Sequence, residues 1–133
     1  WENATYIEPF VGGGAMLFYM LQQYPNIKRA VINDINSDLI TCYRTVCDNV
    51  ERLIPSLRDI QAEYYALPDM EAKREMFMTV RQRYNEKNLA PIENTAKFFF
   101  LNRTCFNGLY RVNKKGLFNV PCGKYMQPQI CVN

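Results

Sequence analysis

Three features of the sequence predict an α/β fold that opens on a parallel βαβ unit. A strand-like stretch over residues 5–11 runs into three consecutive glycines, Gly12 to Gly14. An apolar stretch from Ala15 to Leu21 follows and reads as a buried helix, and a second strand-like run covers residues 30–33. Strand, glycine turn, helix and strand in this order call for parallel pairing with a right-handed crossover.

The middle of the chain reads as helical. Asn36 or Ser37 can cap the next helix. Apolar residues then recur at Leu39, Tyr43, Val46, Val50, Leu53, Leu57 and Ile60, in steps of three and four that mark one helical face. Pro55 is expected to break or kink that run, because it lacks an N–H and crowds the preceding turn. A third helix is expected over 69–86, with Met70, Phe77, Val80 and Tyr84 on one side. A fourth begins near Pro91 and runs through Lys97-Phe98-Phe99-Phe100-Leu101. The expected division is 1–50 for the ligand-binding βαβ part, 51–101 for a helical insertion and 102–133 for a basic β-hairpin segment.

That last segment changes character. Leu109 to Val112 and Leu117 to Val120 read as two strands joined by Asn113-Lys114-Lys115-Gly116, a tight glycine turn. Phe118 reads as hairpin core. From Asn102 onward there is no Asp or Glu, while Arg103, Arg111, Lys114, Lys115 and Lys124 supply five positive charges. The net charge of the whole chain is only +3, so the basic end is a local feature and fits a polyanion. A basic tip flanked by aromatic residues suits a DNA groove.

Other chemistry is excluded by counting. The 133 residues contain no histidine, which removes His-based acid–base and nucleophilic catalysis and His-containing zinc sites. Five cysteines, none spaced C-x-x-C, read as reduced thiols of a cytoplasmic protein, with no metal site expected. No apolar run approaches the roughly 20 residues that span a bilayer. A chain opening on Trp1 reads as an excised or processed piece.

The glycine turn carries the first chemical expectation. Glycine lets a backbone approach a ligand closely because no Cβ intervenes. Asp34 ends the second strand, 20 residues after Gly14, where a carboxylate typically meets ribose hydroxyls. This suits any Rossmann-like nucleotide binder. Leu17 stands where a dinucleotide fingerprint needs a small residue, which counts against a nicotinamide-dependent oxidoreductase, and no Gly-Lys-Ser/Thr follows to make a P-loop.

Three motifs together carry a resemblance. They are Glu8-Pro9-Phe10-Val11-Gly12-Gly13-Gly14-Ala15, Asp34-Ile35-Asn36-Ser37-Asp38-Leu39, and the long run from Asn102-Arg103-Thr104-Cys105-Phe106-Asn107-Gly108-Leu109 through Phe118-Asn119-Val120-Pro121-Cys122-Gly123-Lys124-Tyr125. In this order and spacing they resemble the Dam-type DNA adenine methyltransferases, over essentially Tyr6 to Pro128. The resemblance implies a partial Rossmann-like methyltransferase fold that uses S-adenosylmethionine. It implies transfer of a methyl group to the exocyclic amine of adenine in duplex DNA, at a GATC-like site. By the same resemblance Glu8, Phe10, Gly12, Gly14, Ala15, Asp34 and Ile35 line the cofactor pocket. Arg111 is the base-reading arginine, and Asn107, Leu109, Pro121 and Tyr125 make further DNA contacts. Phe106 fills or supports the gap left by a flipped base, and Lys114 and Lys115 touch phosphate.

The sequence also departs from that pattern. The family's catalytic Asp-Pro-Pro-Tyr is absent: no two of the seven prolines are adjacent, and none follows Asp or Asn. No catalytic residue is therefore assigned. The motif comes after the recognition region in the family, so truncation is the expected reason. A non-catalytic DNA-binding module derived from such an enzyme is the alternative. An apolar face over 5–21 without its usual neighbours predicts self-association, packing on neighbouring molecules, or a longer parent polypeptide.

Overall fold

The computed structural model describes residues 2–131. It is a mixed α/β protein with four α-helices and a two-stranded parallel sheet. In chain order these are β1 (Ala4–Glu8), α1 (Ala15–Gln23), β2 (Ile27–Ile32), α2 (Ser37–Ala66), α3 (Met70–Asn85) and α4 (Pro91–Thr104), followed by a 3-10 turn at Phe106–Gly108. Two compact units divide the chain, one ending at Tyr43 and one beginning at Arg44.

In the first unit β1 and β2 pair in parallel, with Tyr6 opposite Ala30 and Glu8 opposite Ile32. The expected β1 ran to residue 11 but ends at Glu8, because Pro9 has no N–H to continue the ladder. The strands stay zipped beyond their ends, since Asn33 N donates to the Glu8 carbonyl and Val11 N to the Asn33 carbonyl, each at 2.9 Å. Asp34 does not end β2; it stands two residues past Ile32, in the following loop. Asn36 is the cap of α2: its side-chain oxygen accepts from Asp38 N at 3.0 Å and Leu39 N at 3.3 Å. The buried apolar residues here are Val11, Leu17 and Cys42. Ile7, Met16, Phe18, Tyr19, Leu21, Tyr24 and Val31 are exposed.

The second unit has a larger core. Tyr64, Phe77, Tyr84 and Phe100 are wholly buried, and Leu53, Leu101, Phe118 and Val120 nearly so. Tyr64 meets Phe100 edge-on at 5.5 Å between centroids, and Tyr84 meets Phe118 edge-on at 6.4 Å. Asp69 caps α3 by accepting from Ala72 N, and Pro91 opens α4, where its missing N–H costs nothing. Lys73 of α3 is buried. Its ammonium caps the end of α2 by donating to the Tyr64 and Leu67 carbonyls, and it lies 4.7 Å from the centre of the Tyr64 ring.

Two expectations for the helices and the hairpin need correction. Helix α2 continues through Pro55; the residue that leaves helical angles is Asn49, at φ −140°. Cys42 and Thr45 are buried before Asn49 and Leu53 and Leu57 after it. Val46 and Val50 are exposed rather than part of the stripe. The expected hairpin strands over 109–112 and 117–120 do not form a regular ladder. One antiparallel bridge joins Val112 to Phe118, and Gly116, at φ 75°, closes the turn by donating to the Asn113 carbonyl. Asn113 N to the Leu117 carbonyl, 2.8 Å, and Asn119 N to the Arg111 carbonyl, 3.3 Å, frame that bridge. The outer edge of the returning arm is bonded by α3.

Candidate functional site

The glycine loop lies where β1 ends, beside the loop that follows β2. Both are at the carboxyl ends of parallel strands, the usual place for ligands in open α/β sheets. Asp34 ties the two loops together: one carboxylate oxygen accepts from Gly12 N at 2.9 Å and the other from Asn36 N at 2.8 Å. These bonds, from Asn36 first and Gly12 second, hold its carboxyl below the ordinary value of 3.8. From α2, Tyr43 donates its hydroxyl to the Gly12 carbonyl at 2.8 Å. Burial pushes the Tyr43 phenol up, and the nearby carboxylates of Glu8 and Asp34 push it further, so it remains a proton donor. Glu8 itself accepts from the Tyr6 hydroxyl at 2.8 Å.

The three glycines are there for different reasons. Gly14 sits at φ 79°, and a Cβ on it would fall 2.4 Å from the Tyr43 hydroxyl and 2.9 Å from the Phe18 ring. Conformation and packing both dictate it. Gly12, at φ 50°, is dictated by conformation alone. Gly13 has neither constraint, for a Cβ there would meet nothing within 4 Å. The protein's own packing does not explain this glycine, whereas a ligand lying on the backbone would. Phe10 is 85% exposed and Ile35 fully exposed, one on each of the two loops, and Ala15 is exposed at the first turn of α1. The loop therefore offers a bare backbone flanked by two free apolar side chains.

The basic segment after α4 belongs to the second unit and is built the opposite way, as irregular backbone pinned by side chains of helices. Asn85 of α3 donates to the Phe118 carbonyl at 2.9 Å and accepts from Phe118 N at 2.8 Å, standing in for a strand. Arg81 donates to the Val120 carbonyl at 3.1 Å. From α2, Tyr64 donates to the Tyr125 carbonyl, Tyr65 to the Pro128 carbonyl, and Gln61 accepts from Ile130 N and Cys131 N. Burial pushes the Tyr64 phenol up to about 12. Phe118 is core, packed also on Tyr110, which in turn lies 5.1 Å from Phe98.

On this frame Phe106, Asn107, Leu109, Arg111, Lys114, Lys115, Pro121 and Tyr125 are all exposed. Asn107 takes a left-handed conformation, φ 54°, just before Gly108 at φ 60°. Such a conformation in a non-glycine residue recurs at functional loops. The Arg111 Nε donates to the Asn119 side-chain oxygen at 3.1 Å, which fixes the plane of its guanidinium. Asn113 braces the turn by accepting from Lys115 N and Leu117 N. Tyr43, Asn85, Arg81 and Gln61 were not legible as positioning residues, since each acts on backbone more than 30 positions away. Among the described residues no His, Cys, Asp or Glu cluster could hold a metal ion, and no helix is long and apolar enough to cross a membrane.

Comparison with known proteins identifies the family. The family model of the D12 class N6 adenine-specific DNA methyltransferases matches residues 2–133. The chain belongs to that family. A type II methyltransferase, M.MjaIII of Methanocaldococcus jannaschii, is 50% identical over 127 residues, which are 94% of this chain and 43% of the relative. The DNA adenine methylase of Vibrio cholerae is 35% identical over 127 residues, 96% of this chain and 42% of the relative. That of Serratia marcescens is 34% identical over 122 residues, 92% of this chain and 41% of the relative. The chain thus spans about two-fifths of the length of these relatives.

Proposed function

We propose that this chain supplies the S-adenosylmethionine loop and the DNA-reading segment of an enzyme that methylates the exocyclic amine of adenine in duplex DNA. The unexplained Gly13 carries the cofactor half of this reading, and the family supports it. The βαβ unit is the first part of a Rossmann-like sheet, the α2–α4 region is the helical insertion, and the segment after α4 is the recognition part. S-adenosylmethionine supplies the methyl group when bound. The backbone of Gly12 to Ala15 would lie against it, with Glu8 and Asp34 toward its polar groups and Phe10 and Ile35 against its apolar faces. Because both Asp34 oxygens already hold backbone N–H groups, its contact with a ribose would use remaining lone pairs and would couple the ligand to the loop's shape.

In the recognition segment, Arg111 would read a guanine bidentately in the major groove of a GATC-like site, pre-aimed by Asn119. Asn107, Leu109, Pro121 and Tyr125 would add contacts, Phe106 would enter the stack beside the flipped adenine, and Lys114 and Lys115 would meet phosphate. The proton and stacking steps at adenine belong to an Asp-Pro-Pro-Tyr motif that this sequence does not contain. Fluorescence anisotropy with a GATC duplex and a scrambled one tests the reading. Arg111→Ala should cut the preference between them by about 1–3 kcal/mol, roughly fivefold to 150-fold. An unchanged preference would refute the assignment.

A further inference from the structure

Cys105 and Cys122 face each other across an isolated antiparallel bridge. The bonds that frame the bridge are Phe106 N to the Pro121 carbonyl, 2.9 Å, and Gly123 N to the Thr104 carbonyl, 2.8 Å. They come from the neighbours on either side, so the two cysteines are a non-hydrogen-bonded pair. At such a site the Cα atoms approach to about 4.5 Å and both side chains leave on the same face. A disulfide spans Cα separations of about 4.4–6.8 Å. Both thiols are free, and each donates to a backbone carbonyl, Cys105 to Leu109 at 3.4 Å and Cys122 to Gly123 at 3.2 Å.

We propose that Cys105 and Cys122 are a dithiol modification site that closes into an intramolecular disulfide when it meets a small-molecule disulfide. Cys122 is partly exposed and Cys105 fully buried, which sets the order of events. The Cys122 thiolate attacks one sulfur of the oxidant and releases one small thiol. The Cys105 thiolate then attacks the Cys122 sulfur and releases the second. Two protein thiols are oxidised, one small disulfide is reduced to two thiols, and the two thiol protons pass to the departing thiolates. Burial raises both protein thiols above their ordinary value, so the exchange is slow.

The crosslink closes the neck of the loop 106–121, which holds every residue assigned to DNA contact except Tyr125. Two hydrogen bonds hold that neck in the reduced chain; a covalent bond would hold it in the oxidised one. The consequence for DNA rests on the proposed recognition role, whereas the crosslink itself does not.

The test is to incubate the intact chain with oxidised glutathione, quench by alkylation under denaturing conditions and map crosslinked peptides by mass. The expected result is one linkage between Cys105 and Cys122, with the other three cysteines alkylated, and no linkage in Cys122→Ser. Stable glutathione adducts without the linkage, or linkages through Cys42, Cys47 or Cys131 instead, would overturn it. Duplex anisotropy of the oxidised chain separates the two claims. The expected change in affinity is at least threefold, abolished by Cys122→Ser. A mapped linkage with unchanged affinity would uphold the modification site and count against the recognition role.

Discussion

The glycine loop after β1 and the basic segment after α4 are both irregular, and both hang on side chains distant in sequence. They differ in what accompanies them. The basic segment belongs to a unit with a core in which Tyr64, Phe77, Tyr84 and Phe100 are wholly buried. The glycine loop belongs to a unit that buries Val11, Leu17 and Cys42, and whose two strands and helix leave seven large apolar side chains exposed. Irregular backbone can be specified in two ways: by many side chains reaching out of a helical frame, or by a few partly buried polar atoms at one corner. The first comes with a buried core, and the second leaves its apolar neighbours exposed.

The largest expected effect attacks that contrast in the cores. Phe100→Ala should cost about 3–5 kcal/mol in denaturant unfolding followed in the second unit. Phe18→Ala, on a half-exposed ring of the first unit, should cost under about 1 kcal/mol. Similar costs would erase the distinction. Next comes the clamp on the returning arm. Asn85→Ala leaves the Phe118 N–H and carbonyl without their partners and should cost about 1–3 kcal/mol. Hydrogen exchange at Phe118 should accelerate correspondingly while exchange in α2 does not.

These two predictions bear on how much could be read beforehand. Helices α3 and α4 follow from apolar spacing, from the cap at Asp69 and from Pro91 in the first turn, which are local signals. Helix α1 forms where expected but buries only Leu17, so it is not the buried helix its composition suggested. The irregularity at Asn49 and the continuation of α2 through Pro55 were not legible in the apolar spacing. The hairpin was legible as a turn and not as a ladder. The bonds that pin its outer edge come from Asn85 and Arg81, more than 30 residues earlier. The positions of Gly12, Gly14 and Asp34 were readable from type and spacing. The hold of Tyr43 on Gly12 was hidden within an amphipathic stripe, where a tyrosine reads as core.

Smaller effects sharpen the electrostatic difference between the regions. If the four cations after Asn102 other than Arg111 meet phosphate, the slope of log affinity against log salt should be about −3.6, at roughly −0.9 per contact. Lys114→Ala or Lys115→Ala should each reduce it by about 0.9, and a slope near zero would rule out phosphate contact. The smallest effect belongs to Asp34. Its carboxyl is held below 3.8 in the folded chain, so the stability it contributes is present above that value and lost as pH falls through the lowered one. Asp34→Asn should remove that acid-side loss in unfolding curves taken between pH 5 and pH 2, a range chosen to bracket about 3.8. An unchanged acid limb would mean the loop does not depend on its charge.

The claim that the glycine loop exists for a ligand rests on Gly13, the one glycine the protein's own geometry does not require. S-adenosylmethionine should therefore be titrated by calorimetry into the chain and into Gly13→Ala, with folding of both checked by circular dichroism. The account predicts binding to the first, and binding at least tenfold weaker to an equally folded second. Equal binding by the two, or none by a folded wild-type chain, would contradict it.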